Sequence, residues 1–313
     1  LTANASYVDG ERGVPPGLRE LAPLYRRFTT WRAVGTSLAH SGAYAGGALE
    51  VDEQLFLRLF DNLLDSYDDA SLRTQDTSQA FSTWYHDRQI GGRVRGRLRV
   101  QGAPWGLTEA RLWLGAQNDR HVKEDVLEGQ RQAPRDRTLV TVAPEAEAFI
   151  GRRWSVVAGL QLDAELPTGS SDGTSELGAL LSARWDPLQR LHLRATVARR
   201  SRFPTLRERF SSAGGRRRPN PGLGTETAWH FGLEGAWRPL PWLRVALGVF
   251  DAEVRDLIEF VTLTNDPDGF RSQIQNADAA RLAGADAELT VTPLGWLTAR
   301  AGYALLYARR AQP

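Results

Sequence analysis

Apolar and polar residues alternate with period two along most of this chain, and no other sequence feature limits its fold as severely. In 191–197, Leu191, Leu193, Ala195 and Val197 share one parity and His192, Arg194 and Thr196 the other. Segment 94–100 sets Val94, Gly96, Leu98 and Val100 against Arg95, Arg97 and Arg99. Segment 227–237 sets Trp229, Phe231, Leu233 and Trp237 against His230, Gly232 and Glu234. The pattern recurs with Leu243, Val245, Leu247 and Val249 against Arg244, Ala246 and Gly248, and with Leu297, Ala299, Ala301 and Tyr303 against Arg300 and Gly302. Side chains of a strand point alternately to its two faces, so each segment reads as a strand with one apolar and one polar or small face. Helical spacing is not sustained over any comparable length.

A soluble antiparallel sandwich with one wet face would give the same alternation. The connections separate the two cases. Short turns recur at Gln101–Gly106, Gly151–Arg153, Asp186–Arg190, Arg238–Pro241 and Pro293–Gly295. Longer polar stretches lie between them at Asn118–Arg137, Pro167–Thr174, Ser201–Thr225 and Asn265–Ser272. In an up-and-down meander this sorts short turns to one end and long loops to the other, as in outer-membrane barrels. Tryptophan placement agrees. Trp105 lies in a short turn, and Trp154, Trp185, Trp237, Trp242 and Trp296 border others. An indole has an apolar body and one N–H donor, which suits the headgroup layer and forms aromatic girdles.

Composition removes several alternatives. The chain has 313 residues, no cysteine and no methionine, so it carries neither disulfides nor thiolate metal sites. Its 39 basic and 37 acidic residues leave a formal charge of +2, which does not suggest a nucleic-acid surface. Lys123 is the only lysine. No run approaches about 18 consecutive apolar residues, so a transmembrane helix is not expected. With no initiator methionine, a start inside a longer chain is expected, and the opening LTANASYVDG has no basic stretch followed by an apolar one, so a secretory signal is not expected within it. His40, His86, His121, His192 and His230 show no metal-ligand spacing, and Asp172–Gly173 and Asp268–Gly269 read as turns rather than calcium loops. His-Glu-x-x-His and phosphate-cradling glycine loops are absent, and no catalytic residues or cofactor are expected.

The alternation predicts an all-β, antiparallel up-and-down transmembrane barrel over residues 1–313, with about twelve to fourteen strands. The expected strands are 2–8, 28–41, 45–60, 77–87, 90–101, 106–118, 137–150, 153–166, 174–185, 188–200, 225–237, 241–262, 270–291 and 295–308. Leu55–Leu64 also admits a short helix.

The segment Ser201–Gly235 resembles a region of TonB-dependent outer-membrane receptors. Arg202, Phe203, Pro204, Thr205, Leu206 and Glu208 match a strand-ending motif of that family. Asn220, Pro221, Leu223 and Glu226 match the end of the following loop, and Gly232, Leu233, Glu234 and Gly235 the next strand. Trp242–Ile258 and Ile274–Leu289 are similar to the strands after it, and residues 1–14 to an earlier strand and loop. Gly224–Thr225 replaces a usual Lys-Pro, and Asp286 stands at the position of a usual glutamate. The likeness is specific over 201–308. It implies a partial barrel from a family whose members close about 22 strands around a plug. The plug and the last strands are expected outside this chain, leaving an open sheet edge in which 2–8 does not pair with 295–308.

The resemblance further implies energised import of a scarce nutrient such as a ferric siderophore, cobalamin or haem, with the plug, the TonB complex, outer-membrane lipid and a small-molecule ligand as partners. A passive porin and a soluble all-β binding domain are the alternatives. Pro204 lacks an N–H and can end strand pairing, and Asn220–Pro221–Gly222 is a turn signal. Glu226 and Glu234 share a parity that assigns them to the lumen, as it does Arg244 and Arg300. Such charges can simply brace a wet wall. In the functional reading Arg207, Arg209, Arg216, Arg217 and Arg218 in the long loop, with lumenal Arg244 and Arg300, contact an anionic ligand such as a ferric chelate.

Overall fold

The computed structural model describes residues 1–14, 25–77, 80–100, 102, 106–169, 172–212 and 217–311. In chain order the elements are β1 (Thr2–Val14), β2 (Tyr25–Tyr44), β3 (Leu49–Tyr67), β4 (Phe81–Arg99), β5 (Leu107–Asp125), β6 (Gln130–Arg131), β7 (Arg135–Ile150), β8 (Trp154–Leu166), β9 (Thr174–Leu188) and β10 (Leu191–Arg202). Then follow α1 (Leu206–Phe210), β11 (Arg217–Arg218), β12 (Glu226–Leu240), β13 (Leu243–Arg255), β14 (Leu257–Thr262), β15 (Ser272–Ala277), β16 (Ala279–Leu294) and β17 (Leu297–Ala311). A 14-stranded antiparallel meander holds all the strands except β11, β14 and β15, and β6 pairs only with the end of β5. Those three form a small separate sheet, with β11 parallel to β15. Among the described residues β1 pairs only with β2 and β17 only with β16, so the wall has two open edges, as expected.

The register carries the parity of the sequence across the wall. Leu193 stands opposite Gly235, which faces Leu247, then Ala287 and Tyr303. In the other direction Leu193 pairs with Trp185, which faces Trp154 and then Ile150. The adjacent row on the opposite face is Arg194, Glu234, Gly248, Asp286 and Ala304. Leu233, Leu247 and Val249 are 55%, 58% and 51% exposed, so no second protein layer covers the apolar face. A soluble sandwich would bury these side chains against a facing sheet. Among the described residues no helix is long and apolar enough to cross a membrane.

Short turns and long connections alternate as expected. Trp154 stacks on Trp185 across the β8–β9 ladder at 5.3 Å. Trp237, Trp242 and Trp296 are also exposed at this short-turn end, and Trp105 lies outside the described residues.

Strands β1, β3 and β5 run about six or seven residues past their expected ends at 8, 60 and 118, and three further differences change the strand count. The segments 77–87 and 90–101 are one strand, β4, which runs unbroken through Arg88 and Gln89, where a break was expected. A Cβ on Gly91 would come within 2.6 Å of the Ala116 carbonyl oxygen and 2.7 Å of the Phe56 ring, so a close approach requires this glycine. The expected strands 241–262 and 270–291 are each broken, at Asp256 and Asp278, where the chain leaves the wall for the small sheet and returns. Asp256 makes the exit with a left-handed φ of 54°. Leu55–Leu64 is strand throughout.

The buried core lies on the inner face, toward the long connections. Leu64, Phe81 and Tyr85 form it, with Val14 and Phe28 packed alongside. By register Leu64 and Tyr85 have the parity of the polar row, opposite to the Leu55 and Val94 parity of the outer face.

Candidate functional site

The β10–β12 connection folds inward over this core. Pro204 ends the pairing of β10, and Thr205 caps α1. The Thr205 N–H donates to Glu208 Oε2 at 2.7 Å while Glu208 N–H donates to the Thr205 hydroxyl at 3.2 Å, a reciprocal capping box. Arg202 adds a charged hydrogen bond to Glu208 at 3.0 Å. Partial burial pushes the Glu208 carboxyl's pKa up, but the Thr205 N–H and Arg202 outweigh it and hold it below the ordinary 4.5. After α1, Asn220 N–H donates to Arg209 O at 2.8 Å and Asn220 Nδ2 to Ile274 O at 2.9 Å. The turn at Asn220–Pro221–Gly222 therefore ties α1 to β15, with Leu223 buried beneath it.

Strands well across the wall hold this connection. Arg209 makes a 2.5 Å ion pair with Glu165 of β8, and both side chains are buried. Lys123 of β5 donates to the Ser212 hydroxyl at 2.6 Å, and Arg137 of β7 donates to the Pro204 carbonyl. Arg135 lies over the Phe210 ring at 4.7 Å. The second inward connection, β14–β15, docks on the first: Gly224 N–H donates to Asn276 Oδ1 at 2.7 Å, and Ile258 N–H to Glu226 Oε2 at 2.9 Å. Between these connections and the wall lies a cavity of about 410 Å³, reached by Arg26, Arg207, Arg217, Phe28, Tyr85 and Phe260.

A meander with an exposed apolar outer face and loops folded onto its inner face is the architecture of a receptor barrel. The family model described as TonB dependent receptor-like, beta-barrel, matches residues 1–313. The chain belongs to the TonB-dependent receptor β-barrel family. This family comprises transporters and receptors of the Gram-negative outer membrane and is not an enzyme family. No curated protein matches the chain. Among solved structures, the receptor barrel is similar to the copper transporter OprC, at 16% identity and a TM-score of 0.72 over 98% of this chain and 50% of that one. It is similar to the FrpB iron transporter from Neisseria meningitidis, at 16% identity and a TM-score of 0.69 over 98% of this chain and 49% of that one. It also resembles the Serratia marcescens hemophore receptor HasR, solved with its hemophore HasA and heme, at 14% identity and a TM-score of 0.68 over 97% and 54% of the two chains. The receptor barrel thus spans about half the length of these structures.

The structure distributes the arginines singled out from the sequence over different places. Arg207 and Arg217 meet at the cavity, Arg207 over the Tyr85 ring at 4.5 Å and Arg217 over Phe260 at 4.3 Å. Burial pushes the pKa of Arg217 down, and Arg207 and Arg26 add to that effect. Arg209 is engaged with Glu165, and Arg218 with Asp266 at 3.2 Å and with Asp268. Arg216 lies outside the described residues. Arg244 and Arg300 both stand opposite Thr290, near the short-turn end and remote from the cavity, where Arg244 is 3.7 Å from Glu288. Glu226 is 3.5 Å from Arg202, and Glu234 stands opposite Arg194 on the inner row. Phe203 is half-buried at the start of the connection. Sequence reasoning missed Arg26, Phe28, Tyr85 and Phe260. The only available signal was Arg26–Arg27 beside Phe28 at a strand start, a pattern shared by many strand ends.

Proposed function

We propose that this chain forms part of the wall of an outer-membrane importer that takes up a scarce nutrient with energy delivered through TonB. The observation that carries this reading is the inward-folded β10–β12 connection, anchored by the buried Arg209–Glu165 pair. A passive channel needs a clear lumen, whereas a gated receptor needs loops that can occupy it and leave. The exposed apolar outer face supports a lipid neighbour, because hydrocarbon gives leucine side chains such as Leu233 and Leu247 the environment that water denies them. The two open edges require partners, since lipid cannot satisfy unpaired strand N–H and C=O groups. The rest of the longer protein supplies them, along with a plug that blocks the lumen and engages TonB. Neighbours named as copper, iron and hemophore receptors make a metal-bearing nutrient, such as a ferric siderophore, cobalamin or haem, the leading substrate class.

Uptake by cells expressing the full-length protein tests the proposal. Import of the substrate is expected to stop when TonB is deleted or the inner-membrane proton gradient is collapsed. Uptake that persists at the same rate under both treatments, and rises linearly with concentration, would establish a passive porin instead.

A further inference from the structure

The cavity beneath the two inward connections has an unusual charge balance. Arg26, Arg207 and Arg217 reach it, and among the described residues none of the three makes an ion pair. The two carboxylates at its rim are already engaged, Glu208 with Arg202 and Glu259 with Arg310. Among the described residues the cavity therefore holds three positive charges and no free negative one.

The guanidinium groups are also presented for binding. Arg207 lies over the Tyr85 ring and Arg217 over the Phe260 ring, cation–π contacts that position the guanidinium groups without using an N–H donor in an ion pair. The Nε atoms of Arg26 and Arg217 are withdrawn from solvent without any hydrogen-bond partner. Buried donors are rarely left unpaired because each costs about 1–3 kcal/mol. Guanidinium edges match the planar geometry of oxyanions, and several converging on one point select for multiple negative charge. The volume of about 410 Å³ is at the small end of ligand pockets.

We infer that Arg26, Arg207 and Arg217 form a binding site for a compact, metal-free, multivalent oxyanion on the inner wall of the barrel. The site holds this anion through guanidinium edges, with Tyr85 and Phe260 fixing the planes. The inference depends on the import reading only in placing the cavity on the lumenal side.

Titration calorimetry on the full-length receptor in detergent and metal-free buffer tests this, with inorganic pyrophosphate and tricarballylate as separate probes. Tighter binding of pyrophosphate assigns a phosphate ligand, and tighter binding of tricarballylate a carboxylate one. Binding of either is expected to weaken as salt rises. Arg26→Ala and Arg217→Ala are each expected to weaken it by about tenfold or more, the value of one charged hydrogen bond. Arg217→Lys, which keeps the charge but loses the planar fork, is expected to recover part of the loss. Arg152→Ala, in an exposed short turn, should bind as the parent does. If neither probe binds more tightly than acetate, or if properly folded Arg26→Ala and Arg217→Ala bind like the parent, the site does not exist. Failure here with TonB-dependent uptake intact would leave the import proposal standing, and the reverse outcome would remove that proposal alone.

Discussion

Replacing Arg209 with alanine is expected to release the inward connection while leaving the wall intact. The Arg209–Glu165 pair is 2.5 Å long, and its side chains are 6% and 0% exposed. Removing one partner of a buried pair leaves the other charge uncompensated, typically at about 3–5 kcal/mol. Glu165 has no second donor to turn to, since its Oε2 has no partner even in the intact pair. The connection relieves this penalty by lifting away and admitting water to the carboxylate. The cost should therefore appear as local opening rather than as unfolding of the strands. At about 1.4 kcal/mol per tenfold change, a loss of about 3 kcal/mol raises the undocked population roughly a hundredfold. Hydrogen exchange of the full-length protein in detergent reads this directly. Peptides from 203–225 should lose protection by about that factor, and those from β10 and β12 should not. An apolar pair, Arg209→Met with Glu165→Leu, should restore docking, because a matched apolar pair leaves no charge stranded. Unchanged exchange in Arg209→Ala, or a double variant as open as the single one, would show that the pair does not hold the connection.

Three further outcomes follow from the same geometry. Leu247→Arg on the outer face is expected to destabilise the barrel in lipid vesicles by about 2–4 kcal/mol, and Ala246→Arg on the inner face far less, as read by denaturant midpoints; equal effects would refute the assignment of faces. Gly106→Ala should destabilise by more than about 1 kcal/mol, because its φ is +72° and a Cβ would sit 1.9 Å from the Phe149 carbonyl oxygen, whereas Gly96→Ala should be tolerated, having nothing within 4 Å. Glu208 has a depressed pKa, so its contribution is complete above the unfolded value and is lost as pH falls through the folded one; exchange in 203–211 should accelerate only below 4.5, and Glu208→Gln should flatten that pH profile.

The wall was legible wherever alternation was unbroken. Leu191–Val197 and Leu243–Val249 kept both their faces and their approximate limits, because a period of two ties each side chain to one environment. The reading failed where a local signal has two physical causes. The polar pair Arg88–Gln89, where a break was expected, lies inside the ladder opposite Leu59 and Arg58. At Asp256 the apolar pattern runs on through Leu257 and Ile258, so nothing in the periodicity marks the change of sheet. The site was legible in half-measure. A loop rich in arginine identified Arg207 and Arg217, but also Arg209, which is buried in an ion pair. Arg26 comes from β2, far away in sequence, and only the register of β2 on β3 brings it to the same face as Leu64.

The location of the core bears on the proposed gating. The wall's apolar outer face is exposed, so the ladders rather than a second protein layer stabilise the strands. The protein's own buried contacts gather on the inner face, around Tyr85, Lys123, Arg137 and Glu165, and the β10–β12 connection covers them. Those anchors sit on β4, β5, β7 and β8, while the connection begins on β10. Lifting it therefore breaks side-chain contacts and involves the short β11–β15 pairing of the small sheet, but it leaves the strand pairing of the wall intact. Opening is set by a few kcal/mol at one buried ion pair and its neighbours, a scale that a ligand binding beneath the connection can supply.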